Sequence, residues 1–227
     1  MPIISELPIE KIQREKRRTI SIKITEQGKI IIKAPFYITD KDIEKVLIHH
    51  SQWLEDRLKK MEEKNKWVQK KIVNGEKFLY LGKLYELQLT NNQKDPLIFN
   101  NEIFFLDKQY KNQAIKLFKQ WYRLKAKENF YKRARIYAPL LGVNFKQIKL
   151  SNAQKRWGSC SSMGYINIVW RLIMAPQSII DYVIVHELAH RRYMNHSKSF
   201  WHLVESVYPE HKQARQWLRN YGHYLNI

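Results

Sequence analysis

The feature that most restricts the fold is the segment IIDYVIVHELA, residues 179–189, in which apolar side chains occupy most positions. Pro176 precedes it, where a proline is typical of the first turn of a helix. An apolar segment of this length predicts a buried helix. Two histidines and two carboxylates lie on that helix, and buried groups of this kind need partners. The rest of the chain must supply both a hydrophobic enclosure and those partners.

The end of this helix carries the sequence HELAH, residues 186–190. His186 and His190 lie one helical turn apart on the same face, so one metal ion can bind both. Glu187 is adjacent on the helix and can reach a water on that metal without being a ligand. Zinc lowers the pKa of a bound water to about 7, and a neighbouring carboxylate can take its proton. The motif predicts a zinc site with Glu187 as the general base.

A zinc site that keeps a position open for water needs a third protein ligand. His196 follows His190 at the spacing of the metzincin pattern, whose glycine is replaced here by Tyr193. We expect Asn195, in a left-handed conformation, to reverse the chain instead. The alternative third ligands are His202, Glu205 and His211. We favour His196 because it comes directly after the predicted helix and can fold back onto it.

The order of predicted elements indicates an α+β fold. The first part of the chain reads as a hairpin over residues 19–34 that turns at Gly28, a helix after Thr39, and a strand pair joined at Gly82. A long helix over residues 108–137 follows, then strands over 147–151 and 165–172 on either side of a turn-rich segment. The polar segment 90–96 suggests a boundary near residue 100. We therefore expect an N-terminal hairpin and helix accessory region, 1–100, and a metallohydrolase domain, 101–227.

Composition narrows the class of protein. Of the 227 residues, 44% are hydrophobic and 13% aromatic, which excludes wholesale disorder, and a single cysteine cannot form an intrachain disulfide. No segment resembles a secretory signal or a membrane span, so we expect a soluble cytoplasmic protein with no membrane partner. The net charge of +20 favours a polyanionic partner, nucleic acid or a nucleotide. That charge is scattered along the chain, and no nucleic-acid recognition motif accompanies it.

The run KRWGSCSSMGYINIVWRLIMAPQSIIDYVIVHELAHRRYMNHSKSFW, Lys155 to Trp201, resembles the YgjP-like metallopeptidase family, which is related to the SprT-like zinc proteases. The segments Gly75 to Leu87 and Gln213 to Gly222 are also similar, so the resemblance covers nearly the whole chain. It implies a zincin-like catalytic half, a small sheet plus the HExxH helix, with a β-rich N-terminal part. It also implies that His186, His190 and His196 bind zinc and that Glu187 is the catalytic base.

The resemblance also suggests which residues border the substrate cleft. A zincin-like cleft has an edge strand that pairs with extended substrate. By resemblance that strand is 165–170, with Asn167 and Ile168 near its centre as substrate-binding residues. We expect Trp157 and Gly158 to form a turn beside the cleft, with the glycine permitting close backbone approach. The candidates for stabilising the oxyanion are Tyr165, Tyr193, His202 and Arg156, and the sequence does not choose among them.

These features favour a zinc-dependent metallopeptidase acting on a peptide or protein substrate. One alternative keeps the metal site and hydrolyses a nucleotide phosphoanhydride, as a nucleoside triphosphate pyrophosphatase using Mg²⁺ would. The sequence has no Gly-rich loop of the Walker type, which counts against that alternative. Another alternative is a DNA-associated protease, whose DNA binding would depend steeply on salt.

Overall fold

The computed structural model describes residues 7–25, 28–68 and 70–227, and it describes only the backbone over residues 60–68. The chain forms two compact units, Met1–Gln69 and Lys70–Ile227. Both mix helices with small sheets, so the α+β class is confirmed. In the described ranges, no helix has the length and hydropathy needed to cross a membrane.

The first unit is a three-stranded sheet with two helices. Its strands are β1 (Ile9–Arg14), β2 (Ser21–Ile24) and β3 (Ile30–Ala34), and its helices are α1 (Asp40–His49) and α2 (Ser51–Val68). Strand β3 is central, parallel to β1 and antiparallel to β2, so the predicted hairpin is confirmed. Gly28, at the predicted turn, has a φ of 81°, which a glycine adopts without strain. The preceding residues of the predicted turn, Glu26 and Gln27, lie outside the described residues. The buried core consists of Ile30, Ile32, Ala34, Ile43, Leu47 and Leu54.

The second unit begins with a four-stranded sheet and a long helix. The strands are β4 (Lys77–Tyr80), β5 (Lys83–Thr90), β6 (Leu97–Phe99) and β7 (Ile103–Asp107), in the order β4-β5-β7-β6. A short 3₁₀ helix, Lys108–Gln113, leads into α3 (Ala114–Leu140). The residues of α3 that are buried recur every four positions and form one stripe: Ala114, Phe118, Tyr122, Ala126, Phe130, Ala134 and Ala138.

A second sheet and three helices complete this unit. The strands are β8 (Gln147–Ser151), β9 (Gly158–Cys160) and β10 (Tyr165–Val169), in the order β8-β10-β9. After a 3₁₀ helix, Trp170–Met174, come α4 (Gln177–Ala189), α5 (Lys198–Val207) and α6 (His211–Tyr221). Helix α4 is buried along nearly all its length, as its composition predicts.

The compact units divide after Gln69, whereas the sequence analysis placed a domain boundary after residue 100. The difference arises because β4–β7 share one hydrophobic core with α3 and α4. Phe78 stacks on Phe118 with ring centroids 3.8 Å apart. The turn at Leu81 and Gly82 also donates two main-chain hydrogen bonds, each 3.0 Å long, to the carbonyls of Ile173 and Met174, immediately before α4. The strands of residues 77–107 therefore belong to the unit that contains HELAH.

Candidate metal centre

Three histidines converge at the end of α4. His186 lies in its last turn, His190 caps its C-terminus, and His196 lies in the loop before α5. One ring nitrogen from each histidine lies within 4.8 Å of the other two. The Nε2 atoms of His186 and His196 are 3.1 Å apart. The structure thus brings together the three residues that the sequence singled out.

The turn that brings His196 back toward α4 is not the left-handed turn at Asn195 that the sequence predicts. The backbone N–H groups of Arg191 and Arg192 donate to the carbonyls of Leu188 and Ala189, so the helix ends in tight turns. Among the described residues, the non-glycine positions with positive φ are Leu81, Asn92 and Asn101. The expectation of a left-handed Asn195 is therefore wrong. The tight turns need no left-handed residue to bring the chain back.

Aromatic rings fix the orientation of the imidazoles. His196 stacks on Trp201 with ring centroids 5.6 Å apart, and His190 stacks on Phe200 at 4.5 Å. Trp201 also stacks on His211, with ring centroids 5.4 Å apart. Phe200 and Trp201 also contact the ring of His186, at 5.0 and 5.7 Å, so helix α5 supports all three histidines. The sequence analysis did not assign this role to Trp201.

The rival third ligands lie elsewhere. His202 is exposed on α5. His211 is buried, and its Nε2 lies 3.8 Å from the Glu205 carboxylate, so these two side chains face each other. Within the ranges that the structure describes, the metal-ligating side chains that cluster are His186, His190 and His196 alone.

The protonation of the histidines fits a bound metal. His190 Nδ1 lies 2.9 Å from the Tyr193 carbonyl, which only accepts, so Nδ1 carries the proton and Nε2 keeps its lone pair. Burial, followed by the nearby His190, lowers the pKa of His186 to about 3. Burial also lowers the pKa of His196. Neutral imidazoles are the form that binds metal.

The spacing of the imidazole nitrogens also fits a bound metal ion. Two nitrogens bound tetrahedrally to one zinc-sized ion are about 3.3 Å apart. The observed separation of 3.1 Å between the Nε2 atoms of His186 and His196 is close to that value. A set of three nitrogen donors suits a transition metal better than Mg²⁺, which prefers oxygen ligands.

Glu187 is buried beside this cluster and against β9. Its side chain is 6% exposed, and burial raises its pKa to about 8, while the positive charge of Arg156 acts in the opposite direction. A Cβ atom on Gly158 would lie 2.5 Å from both Cγ and Oε1 of Glu187. The glycine is therefore what allows the carboxylate to lie this close to the strand.

A cleft of about 430 Å³ opens over the three histidines and Glu187. Its other walls are formed by Arg156, Trp157, Gly158, Ser159, Cys160, Tyr182, Val183, Met194 and Leu218. Trp157 is half-buried and packs against Gly222, where an added Cβ would lie 2.7 Å from the indole. The prediction that Trp157 and Gly158 border the cleft is consistent with this geometry.

The strand that borders the cleft is β9 and not β10. Strand β10 pairs with β8 on one side and with β9 on the other, so neither of its edges is free. Ile168 is fully buried, and Asn167 pairs with Ser159 of β9. The expectation that Asn167 and Ile168 bind substrate along an edge strand is therefore wrong. Sequence reasoning missed β9 because it has three residues, all small.

Comparison with known proteins agrees with the site. The family description "YgjP-like, metallopeptidase domain" matches residues 18–221. The chain belongs to the YgjP-like metallopeptidase family. This match spans most of both compact units and includes all three histidines, Glu187 and β9.

Among solved structures, the chain is similar to the crystal structure of the metallopeptidase zymogen of Pyrococcus abyssi abylysin. The identity is 22%, and the similarity covers 40% of this chain and 93% of that chain with a TM-score of 0.38. At this TM-score we draw nothing further from the similarity. No curated protein matches the chain significantly.

Proposed function

We propose that this YgjP-like protein is a zinc-dependent metallopeptidase with a zincin-like catalytic half formed by β8–β10 and α4. The observation that carries the proposal is the convergence of three imidazole nitrogens within 4.8 Å, next to the buried Glu187 and at the base of an open cleft. His186, His190 and His196 would hold the ion. A zinc ion held there would supply Lewis acidity to polarise a substrate carbonyl and to lower the pKa of a bound water.

Glu187 is the proposed general base. It follows His186 on α4, takes no part in the histidine cluster and faces the cleft beside Gly158. In its ionised form, which a cation held by the three histidines would favour, the carboxylate can accept the proton of the attacking water and pass it to the leaving amine. The close approach to β9 keeps the carboxylate in one place during both transfers.

Strand β9 is the proposed docking edge for substrate. In an antiparallel pair, successive residues direct their main-chain groups alternately toward and away from the partner strand. The carbonyl of Trp157 accepts from Val169 of β10, so the N–H and C=O groups of Gly158 and Cys160 point away from β10. An extended peptide can add to that free edge as a further strand.

A second candidate function is hydrolysis of a nucleotide phosphoanhydride at the same site. The observation in its favour is the guanidinium of Arg156 on the cleft wall, which suits phosphate as well as carboxylate. Measuring pyrophosphate release from nucleoside triphosphates beside peptide cleavage separates the two functions.

The experiment that tests the proposal compares zinc-loaded wild type with Glu187→Gln on a quenched peptide library. We expect the wild type to cleave peptides and the variant to lose about 100-fold or more of the rate, with zinc content unchanged. Glu102→Gln is the matched control, because Glu102 is exposed and lies outside both the histidine cluster and the cleft lining. Pyrophosphate release without peptide cleavage by the wild type would overturn the peptidase proposal.

A further inference from the structure

Arg156 is a cation on the cleft wall. It precedes β9 and lines the same cleft as the three histidines. In the described part of the chain, no carboxylate lies within ion-pair distance of it. By contrast, Arg133 is bound by the Asp181 carboxylate. The guanidinium of Arg156 is therefore available to a ligand.

Helix α6, which contributes Leu218 to the cleft, also carries cationic side chains. Arg215, Leu218 and Arg219 share one face of α6, and Leu218 lines the cleft. The guanidinium of Arg215 lies 4.6 Å from the ring centroid of Trp201, which stacks on His196. Neither arginine has a carboxylate within ion-pair distance among the described residues.

Arg156 is the one arginine or lysine among the described residues that line the cleft. Among the described residues that line the cleft, the one acidic side chain is Glu187, which is buried against Gly158. The described cleft lining thus has one cationic side chain, Arg156, with two further arginines on the α6 face that carries Leu218, and its one carboxylate is buried against β9. A cleft of this kind concentrates anionic ligands.

We propose that the cleft selects peptides with a carboxylate near the scissile bond and that Arg156 binds this carboxylate. The planar guanidinium can hold both oxygens of a carboxylate at once. Arg215 and Arg219 give the α6 wall the same preference for negative charge. The carboxylate can come from an acidic side chain or from a free peptide C-terminus. This inference rests on the proposed peptidase function and adds a substrate class to it.

The test uses the full-length, zinc-loaded protein and quenched peptides that differ at one position, Glu or Gln, each with a free or amidated C-terminus. A charge-assisted hydrogen bond stabilises by about 1.5–3 kcal/mol, so we expect kcat/KM for the carboxylate peptide to exceed that of its neutral analogue about tenfold or more. Arg156→Gln should bring the ratio of kcat/KM between the carboxylate peptide and its neutral analogue to near one. Arg135→Gln, which removes an exposed arginine from α3, should leave the ratio unchanged.

The two carboxylate sources give different results. If kcat/KM is higher for the Glu peptide than for the Gln peptide, the carboxylate that binds is a side chain. If kcat/KM falls when the C-terminus is amidated, the carboxylate that binds is the peptide C-terminus. Either result supports the inference when Arg156→Gln abolishes the ratio. Equal rates for all four peptides in the wild type, or a ratio that survives in Arg156→Gln, would overturn it.

A binding measurement separates this inference from the peptidase proposal. The zinc-loaded Glu187→Gln variant is titrated with the same four peptides carrying a fluorescent label, with and without the Arg156→Gln change. Tighter binding of carboxylate peptides that depends on Arg156, without cleavage by the wild type, supports the anion site and contradicts the peptidase function. Equal binding of all four peptides contradicts the anion site whatever the wild type cleaves.

Discussion

At the scale of single residues, Gly158 determines how close Glu187 lies to β9. A methyl group there would come within 2.5 Å of the Glu187 side chain, which would have to leave its place against the strand and shift toward the cleft. We expect Gly158→Ala to reduce peptidase activity strongly and to lower the free energy of unfolding by about 1–3 kcal/mol. Thermal unfolding and peptide kinetics of the same preparation measure both effects.

The control for Gly158→Ala is Ser162→Ala, which changes an exposed side chain in the turn after β9. We expect that variant to behave as wild type in both assays. Full activity in Gly158→Ala would show that Glu187 does not need its position against the strand, and this would contradict the role proposed for it.

The positions of His186, His190 and His196 could be predicted from the sequence, whereas the aromatic rings that pack against them could not. Helical spacing alone places His186 and His190 on one face, and the position of His196 just after the helix lets it return. The stacking of Trp201 on His196 depends on where α5 packs, which no local pattern specifies. The left-handed turn expected at Asn195 failed for the same reason, since the main-chain bonds after α4 shape the loop.

At the scale of elements, the packing of α3 against α4 depends on Asp181. Its carboxylate accepts two hydrogen bonds of 2.6 Å from Arg133 of α3 and a third, of 2.9 Å, from Gln177. The Asp181 side chain is 8% exposed and that of Arg133 is 24% exposed. We expect Asp181→Asn to lower the free energy of unfolding by about 1.5–3 kcal/mol, because it leaves the guanidinium without its charged partner. Urea unfolding of the two proteins gives this difference.

A double-mutant cycle shows whether this loss of stability arises from the interaction between Arg133 and Asp181. The double variant Arg133→Met, Asp181→Leu should lose less free energy of unfolding than the sum of the losses in the two single variants. Additive losses would contradict a direct interaction between α3 and α4 through these side chains.

Elements with strong periodicity were predictable and short ones were not. Helix α4 and the hairpin of β2 and β3 follow from their apolar patterns. Strand β9 consists of Gly158, Ser159 and Cys160, and residues of this kind favour turns. Its pairing with β10 depends on a contact outside the segment. The family resemblance points instead to β10 as the edge strand of the cleft.

At the scale of the whole molecule, the polar segment 90–96 is a loop between strands and not a linker between domains. The Gln93 amide donates to the carbonyls of Asp95, Pro96 and Phe105, which ties the loop onto β7. Its polarity therefore serves local hydrogen bonds. Composition alone cannot distinguish such a loop from a domain boundary, which explains the expected division near residue 100.

Two fragments test where the folding unit begins. We expect residues 70–227 to unfold cooperatively on heating, because this fragment keeps the core that joins Phe78, Phe104 and Phe118. Residues 101–227 lack β4, β5 and β6, so Phe104 and Phe118 lose their cover, and we expect no cooperative transition. Circular dichroism and calorimetry of the two fragments measure this. Cooperative unfolding of the shorter fragment would contradict the shared core.

The most direct test of the central claim is the metal content of the purified full-length protein after dialysis against metal-free buffer, measured for wild type, His196→Ala and His202→Ala. We predict about one zinc ion per chain in the wild type, a clear loss in His196→Ala, and no change in His202→Ala, because His202 lies outside the cluster. No retained transition metal in the wild type, or equal retention in His196→Ala, would contradict the three-histidine zinc site and the metallopeptidase mechanism built on it.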